Sequence, residues 1–329
     1  MSNAFVWRLV GRRTFFLLCG ALFAAQALGQ TAYPSQPIRL IVSFAAGGPT
    51  DIFARLIASK LEKELGQPII VENKPGGGSN IGSEFVAKAK PDGYTLLVGT
   101  VANATNMGIY KNLGYDTARD FAPITQIMSS PSVLVVNNNL PVRSLTELIA
   151  YAKARPGKLS YASSGAGGMQ HHAGELLKLR TGIDVIHIPY KGAAPALTDV
   201  IGGTVDFGFK TASGVMPAIL SGKVRPLAVA GSARLAQLPD VPTMAEAGMP
   251  DLEADSWNGL FAPAGTPPAI INRLADATIA ILKTPEIKER FAAISATPIG
   301  STPEEFSKYV KAEIAKWGMV AKQANVQVN

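Results

Sequence analysis

The stretch IRLIVSFAAGGPTDIFARLIASKLEKELG, residues 38–66, contains the pattern that decides the fold of this chain. Its first residues are apolar and rich in β-branched side chains, which predicts a buried strand over residues 38–44. A glycine pair follows the strand, and a helix-like segment then runs to Gly66, a residue type that commonly stops helices. The apolar residues of this segment recur at helical spacing, at Ile52, Leu56, Leu61 and Leu65. The stretch therefore predicts a strand, a glycine-rich loop and a helix.

The same alternation continues along the chain. Residues 68–72 and 94–98 are strand-like, and the intervening residues 80–90 are helix-like. A strand–helix–strand–helix–strand order predicts a parallel sheet with helices on both faces. The alternation repeats between residues 133 and 230, and the chain after residue 266 is mostly helical. Two α/β units followed by helices predict that the chain crosses between two lobes twice, at positions that periodicity does not fix.

The first 29 residues have the composition of an export signal. Arg8, Arg12 and Arg13 make a basic start, an apolar run covers residues 14–25, and small residues precede a predicted cleavage near Gly29. The arginine pair also fits a twin-arginine signal, so the general secretory and twin-arginine routes both stay open. The single cysteine of the chain lies inside this segment. The rest of the chain is therefore predicted to lack disulfides, thiolate nucleophiles and cysteine metal sites.

Length and charge narrow the range of partners. The chain has 329 residues, which is more than one typical domain and favours two. Its formal net charge of +7 falls to +4 without the three arginines of the signal, and the remaining basic residues are scattered. Nucleic acid is therefore not expected as a partner, and a small anion in a mildly positive cleft fits better.

Five predicted strand-to-helix loops are rich in glycine, serine and threonine. They are FAAGGPTD (44–51), PGGGSNIG (75–82), GTVANATN (99–106), SSGAGGMQH (163–171) and YKGAAP (190–195). Open parallel sheets bind ligands at the carboxyl ends of strands, where such loops lie. Glycine allows close approach of the backbone, and the amides at the following helix start attract anions. Each loop alone is compatible with an ordinary connector, but their number in both parts of the chain favours an anion site.

The motifs of several enzyme classes are incomplete in this sequence. No serine has the Gly-x-Ser-x-Gly surroundings of a hydrolase nucleophile, and neither the dinucleotide nor the P-loop glycine pattern is complete. Ser164 and His171 stay open as a catalytic pair if the fold brings them together. The adjacent His171 and His172 point in different directions, and His187 stands alone in a predicted strand. No metal site and no cofactor are therefore expected.

Collinear stretches over nearly the whole chain after the signal resemble the periplasmic solute receptors of tripartite tricarboxylate transporters, the Bug receptor family. Among them are YPSQPIRLIVSFAAGGPTDIFARLIA, GQPIIVENKPGGGSNIGSEFVAKAKPDGYTLL, PGKLSYASSGAGG and HIPYKGAAPALTDVIGGTVDFGF. The resemblance implies an α/β type II periplasmic-binding-protein fold. Two Rossmann-like lobes, joined by two crossing strands near residues 132–136 and 256–261, would enclose a ligand cleft. The implied first lobe covers residues 30–131 plus 254–329, and the second covers residues 132–253.

The resemblance also implies a function. It indicates a monomeric periplasmic receptor without enzymatic activity, which captures a small carboxylate and delivers it to the membrane permease of such a transporter. A ligand sensor that signals to a membrane partner without transport, and a periplasmic serine hydrolase using Ser164 and His171, are the alternatives. The residues implied around the ligand in the first lobe are Phe44, Ala46, Gly47, Gly48, Thr50, Asp51, Ser79, Asn80 and Thr100. Those implied in the second lobe are Ser163, Ser164, Gly165, Gly167, His171, Tyr190, Lys191, Gly192, Asp206 and Lys210.

One position departs from the pattern of that family. Members often carry an aspartate after the phenylalanine that corresponds to Phe209, whereas this chain has Lys210. The reversed charge suggests that Lys210 pairs with a second carboxylate of the ligand, which favours a dicarboxylate over an amino acid. A lysine that points to solvent is the alternative, because its aliphatic stem readily carries the amine outward. His171 is expected either to donate a ring N–H to the ligand or to cap its own helix.

Overall fold

The computed structural model describes residues 33–47, 49–165, 168–190, 192–324 and 326, and residues 37–329 belong to one compact unit. The predicted export signal lies outside the described residues. The strands are β1 (Ile38–Val42), β2 (Ile69–Asn73), β3 (Thr95–Thr100), β4 (Phe121–Val136), β5 (Leu159–Ser163), β6 (Val185–Pro189), β7 (Phe207–Thr211), β8 (Arg225–Ala230), β9 (Asp255–Pro263) and β10 (Thr297–Pro298). The helices are α1 (Pro49–Leu65), α2 (Asn80–Ala87), α3 (Ala102–Ile109), α4 (Thr117–Asp120), α5 (Leu145–Lys153), α6 (Met169–Thr181), α7 (Ala193–Gly202), α8 (Ala212–Leu220), α9 (Pro268–Leu282), α10 (Pro285–Ala292) and α11 (Pro303–Gln323).

These strands form one mixed sheet. Their order is β2–β1–β3–β9–β4–β7–β5–β6, and β8 and β10 also pair with β4. Strands β1, β2 and β3 run parallel to one another and are called the first parallel group below. Strands β5, β6 and β7 are likewise parallel and are called the second parallel group. The predicted alternation of strand and helix is therefore confirmed in both parts of the chain.

Strand β4 connects the two parallel groups. Its residues up to Pro131 pair with β9, and its residues from Ser132 onward pair with β7 and β8. Strand β9 begins at Asp255, which lies opposite Pro131. The two strands thus run side by side where β4 changes partners, close to the predicted crossings. The sequence pattern had indicated a strand only over residues 133–136, so the long first part of β4 was not predicted.

Helix α1 packs through a face that differs from the predicted one. Ile52 is exposed, whereas Phe53, Ile57 and Leu61 are buried against the sheet. The predicted face was therefore wrong at the start of the helix, where the apolar stripe lies one position further along the chain. Leu61 and Leu65 belong to both faces because successive turns of a helix share a broad apolar stripe.

The C-terminal helix α11 packs against α3, α6 and strand β4. Trp257 on β9 and Trp317 on α11 are fully buried, and both indole N–H groups donate to Glu313, at 3.2 and 2.9 Å. His172 on α6 meets the Trp317 ring edge to face, with centroids 5.6 Å apart. A buried carboxylate with two donors is a satisfied polar group, so this cluster fixes α11 against the crossing strand.

Candidate functional site

The carboxyl ends of the two parallel groups face each other across the middle of β4. Strand β3 ends at Thr100, which pairs with Asn258, and Asn258 in turn pairs with Met128 of β4. Strand β7 runs the opposite way and ends at Thr211, which pairs with Ser132 of β4. Met128 and Ser132 are four positions apart, which is roughly 13 Å at about 3.3 Å per residue. The predicted loops of both groups therefore border one cleft.

Asp51 organises the first loop instead of presenting a free carboxylate. It is buried in the first turn of α1 and accepts hydrogen bonds from the Gly47 N–H at 2.9 Å, from Asn73 Nδ2 at 2.9 Å and from Arg55 Nε at 3.0 Å. Burial raises the pKa of Asp51, but the hydrogen bonds from Arg55, Gly47 and Asn73 outweigh it and lower the pKa to about 2. Asn73 also donates to the Phe44 carbonyl at 3.0 Å. The loop is thus held in shape by an ionised side chain.

Ser79 is the unusual residue of the second loop. It has a positive φ of 81° and is buried, and its hydroxyl has no hydrogen-bond partner within the described residues. A strained non-glycine residue with an unsatisfied buried hydroxyl is commonly found at a binding site. The next residue, Asn80, is fixed because its Oδ1 accepts from Asn106 Nδ2 at 2.7 Å and from the Tyr115 hydroxyl at 2.8 Å.

The remaining residues that were predicted around the ligand in the first lobe show neither strain nor an unsatisfied buried side chain within the described residues. The Thr100 N–H donates to Asn103 Oδ1 at 2.9 Å, and its hydroxyl accepts from the Ala102 N–H at 3.2 Å. Ala46 and Gly47 are exposed, and Phe44 and Thr50 are half-buried. Gly48 lies outside the described residues. Ala46 and Gly47 are therefore the exposed members of this set, and Thr100 is a buried one.

Two loops of the second parallel group are bonded to each other. The Ser163 carbonyl accepts from the Tyr190 N–H at 3.0 Å, and the Ser164 carbonyl accepts from the Gly192 N–H at 3.0 Å. The Ser163 hydroxyl lies 2.7 Å from His187 Nε2 and donates to the Gly165 carbonyl at 2.9 Å. The Tyr190 hydroxyl donates to Asp199, and burial together with that bond raises its pKa to about 12. Gly167 and Lys191 lie outside the described residues.

Helix α6 begins without a side-chain cap. Its N-cap is Gly168, and the N–H groups of His171 and His172 both donate to the Gly168 carbonyl, at 3.0 and 3.1 Å. The N–H groups of Met169 and Gln170 have no acceptor within the described residues. Unsatisfied N–H groups at a helix start carry partial positive charge and attract anions. The α6 start therefore offers two donors to a ligand.

His171 lies in a stack of rings. Its imidazole lies on that of His187 with centroids 3.8 Å apart and an angle of 8°, and its Nε2 is 3.9 Å from Glu175 Oε1. Glu175 is buried and accepts from the Tyr161 hydroxyl at 2.7 Å. Burial and the neighbouring His187 lower the pKa of His171 to about 3, and burial lowers that of His187 to about 4. Both imidazoles are thus neutral near pH 7.

Lys210 is buried and does not point to solvent. Its ammonium donates to the Ala162 carbonyl at 3.2 Å, and no carboxylate forms an ion pair with it within the described residues. Gly208 makes room for the lysine, since a Cβ there would lie 3.3 Å from Nζ and 2.7 Å from the Ala162 oxygen. Burial lowers the pKa of Lys210 to about 8. A buried ammonium with one acceptor retains donors for an anion.

Asp206 is separated from the other predicted site residues. It precedes β7, and its carboxylate accepts from the Ser160 N–H at 2.7 Å and from the Ser160 hydroxyl at 3.1 Å. Thr211, at the cleft end of β7, is five positions further along, or roughly 16 Å in an extended strand. Asp206 therefore lies at the end of the strands opposite to the cleft, where Ser160 is its partner.

The alternative catalytic pair does not form. Ser164 and His171 share no hydrogen bond within the described residues; instead, the Ser164 N–H donates to Gln170 Oε1 at 2.9 Å. Ser163 does contact His187, but its hydroxyl belongs to a fully buried residue and His187 is a weak base. A nucleophile must reach its substrate and needs a base with a suitable pKa. In addition, the described residues contain no group of three His, Cys, Asp or Glu side chains placed to hold a metal.

Several residues of this site were missed by sequence reasoning. Asn73 and His187 fix loops from neighbouring strands, Asn106 holds Asn80, and Gln170 accepts the Ser164 N–H. Only Gln170 carried a sequence signal, because a polar side chain in the first turn after a glycine-rich loop can fold back onto that loop. None of the helices in the described part of the chain has the length and apolar character of a membrane span.

Comparison with known proteins gives consistent results. Residues 53–326 match the family described as the tripartite tricarboxylate transporter family receptor. Protein BugT from Bordetella pertussis is 38% identical over 306 residues, which cover 92% of this chain and 94% of that protein. Rpa4515 of R. palustris, solved with adipate, is 40% identical with a TM-score of 0.81, over 90% of this chain and 99% of that one. MatC from Rhodopseudomonas palustris, solved with bound malate, is 34% identical with a TM-score of 0.77, over 88% and 99% of the two chains. These likenesses confirm the predicted α/β periplasmic-binding-protein fold.

Proposed function

Because the chain belongs to the tripartite tricarboxylate transporter receptor family, we propose that it is a periplasmic receptor that binds a small carboxylate and delivers it to a membrane permease. The observation that carries this proposal is the uncapped start of α6, where the N–H groups of Met169 and Gln170 lack acceptors within the described residues. They lie at the carboxyl edge of the second parallel group, which faces the loops of the first. Neutral backbone donors at a helix start favour an anion.

The proposed cleft lies between two lobes, residues 30–131 plus 254–329 and residues 132–253. The change of partners on β4 between Pro131 and Ser132 supports this division, as does the start of β9 at Asp255. Two adjacent strands that join two halves can act as a hinge between them. Ligand binding would favour the closed arrangement by the difference between the affinities of the closed and open forms.

The proposed ligand is a dicarboxylate. One carboxylate lies at the α6 start, with the Ser79 hydroxyl opposite, and the second pairs with Lys210 after the lysine stem rotates toward the cleft. Lys210 supports this choice because its buried ammonium has no anionic partner within the described residues. The two relatives solved with adipate and malate also hold dicarboxylates. Gly48, Gly167 and Lys191 remain predicted contacts. Asp206 is left out because its carboxylate is bound to Ser160 at the far edge of the sheet.

The mechanism is binding and closure without bond chemistry. Ser164 and His171 are not hydrogen-bonded, which disfavours the hydrolase alternative. A sensor that passes the same closure to a membrane partner without transport is the alternative function for this fold.

Thermal unfolding of ligand-stripped protein tests the proposed function. The protein is unfolded, dialysed and refolded, and its melting temperature is measured with monocarboxylates, dicarboxylates including malate and adipate, tricarboxylates and amino acids. A ligand at a hundred times its Kd adds about 2.7 kcal/mol to the free energy of unfolding. For a chain of this size that is a shift of the melting temperature of roughly 4 °C. Dicarboxylates should give the largest shift. A panel in which no carboxylate shifts the melting temperature, while ester substrates are turned over, would refute the receptor function.

A further inference from the structure

The orientation of the Gln170 carboxamide is fixed by its partner. A backbone N–H is always a donor, so the carboxamide atom 2.9 Å from the Ser164 nitrogen must be the oxygen. The nitrogen Nε2 then points away from Ser164. Nε2 donates to no other group within the described residues, and it keeps contact with solvent although Gln170 as a whole is only 7% exposed. A mostly buried side chain whose remaining donors reach solvent can offer them to a ligand that enters the cleft.

The position of Gln170 places these donors at the start of α6. Gln170 lies in the first turn of this 13-residue helix, and its side chain folds back over the loop to reach Ser164. The N–H groups of Met169 and of Gln170 itself also lack acceptors within the described residues. Gln170 thus supplies a backbone donor and a side-chain donor in the first turn, where the helix start is most positive.

The same contact takes up one backbone donor of the loop before α6. The Ser164 N–H donates to the Gln170 oxygen and is not available to a ligand. The Ser164 carbonyl is also taken, by the Gly192 N–H at 3.0 Å. Both backbone groups of Ser164 are therefore bonded within the chain, and the N–H groups without an acceptor in the described residues are those of Met169 and Gln170, in the first turn of α6.

We propose that Gln170 is a specificity-determining residue of this receptor, with Oε1 holding the Ser164 N–H and Nε2 donating to the ligand carboxylate beside the first amides of α6. This inference rests on the proposed carboxylate-binding function. It names the residue that makes the receptor prefer a carboxylate over other ligand groups. A carboxylate accepts at both oxygens, so it satisfies Nε2 and the α6 amides together. A ligand group that carries only donors leaves these N–H groups unpaired in a nearly buried site.

Two substitutions separate binding from loop support. Gln170→Glu keeps an acceptor for the Ser164 N–H but replaces the Nε2 donor by a negatively charged oxygen. Gln170→Met keeps the length of the side chain but removes both functions. If Nε2 binds the ligand, both variants should lose affinity, by about ten- to a hundredfold for the lost charge-assisted hydrogen bond. Gln170→Glu should lose more than Gln170→Met, because it also repels the carboxylate.

Calorimetric titration of the purified wild-type protein, both variants and the control Gln323→Glu tests the proposal, with malate and adipate as probes. Gln323 is exposed at the end of α11, so the control adds the same charge away from the cleft. Near wild-type affinity of Gln170→Glu would overturn the proposal, because a residue that only supports the loop tolerates this change. Tighter binding by Gln170→Met would also overturn it. The Gln170 oxygen would then compete with the ligand carboxylate for the Ser164 N–H. Failure of the wild-type protein to bind either probe or any other carboxylate would refute the receptor function itself.

Discussion

Replacement of Lys210 by methionine should make the ligand-free protein more stable and the receptor weaker. Burial lowers the pKa of Lys210 from 10.5 to about 8. One pKa unit corresponds to about 1.4 kcal/mol, so protonated Lys210 reduces the free energy of unfolding by roughly 3 kcal/mol at pH 7. Methionine has a similar length and no charge, but it loses the bond to the Ala162 carbonyl, worth about 1 kcal/mol. The expected net gain is about 2 kcal/mol.

The sign of this effect depends on pH. The folded pKa lies below the unfolded one, so the unfolded chain binds the proton more tightly. The lysine therefore opposes folding fully below pH 8, and its penalty disappears as the pH rises from 8 to 10.5. The advantage of Lys210→Met should accordingly be largest near pH 7 and almost absent at pH 10.5. Its affinity for a dicarboxylate should fall at least tenfold, while that for the matching monocarboxylate should change little.

Urea unfolding at pH 7 and 10, with calorimetric titration of both ligand types at pH 7, measures these effects. Lys223→Met, an exposed lysine between α8 and β8, is the matched control and should change neither quantity. A stability difference that is equal at both pH values would show that Lys210 carries no buried charge. Unchanged dicarboxylate affinity in Lys210→Met would refute its pairing with a second carboxylate.

Three further changes test the stability of the fold. Lowering the pH from 7 to 5 should reduce the free energy of unfolding, measured with urea, by about 4 kcal/mol. The reason is that His171 and His187 stay neutral in the folded protein but take up protons near pH 6.5 in the unfolded chain. His187→Gln should halve that loss, whereas an equal loss in the variant would contradict the pKa assignment. Glu313→Leu should cost about 3 kcal/mol, since two buried indole N–H groups lose their acceptor, and a change below 1 kcal/mol would mean that they find another. Gly259→Ala should lower the melting temperature, because its Cβ would collide with the buried Phe306 ring at a cost of about 1–3 kcal/mol; an unchanged value would show that the ring moves freely.

The order of strands and helices was predictable because it depends on local pattern. Glycine-rich turns and β-branched runs marked most elements, and Thr302 and Glu305 form a capping box at the start of α11. The face of α1 was less predictable, since Ile52 and Phe53 are adjacent and equally apolar. Only the tertiary packing decides which of two neighbouring apolar residues is buried.

The site was predictable as a set of loops but not as a set of contacts. Glycine content indicated the loops where the backbone can come close to a ligand, and those loops do border one cleft. Which end of a strand a residue occupies depends on its exact bounds, and Asp206 falls just before β7 instead of at its cleft end. The burial of Lys210 was equally hidden, because it requires the space left by Gly208 two positions earlier.

Asp51 and Gln170 hold their loops in the same way with side chains of different charge. Each lies in the first turn of the helix after a glycine-rich loop, and each accepts the N–H of a loop residue, Gly47 or Ser164. An ionised carboxylate in this place repels an anionic ligand unless a cation compensates it, and Arg55 does so from the side of the helix. A carboxamide needs no cation and adds donors of its own. We therefore expect the loop of Gln170 to hold the ligand carboxylate and the loop of Asp51 to contribute chiefly by closing over it.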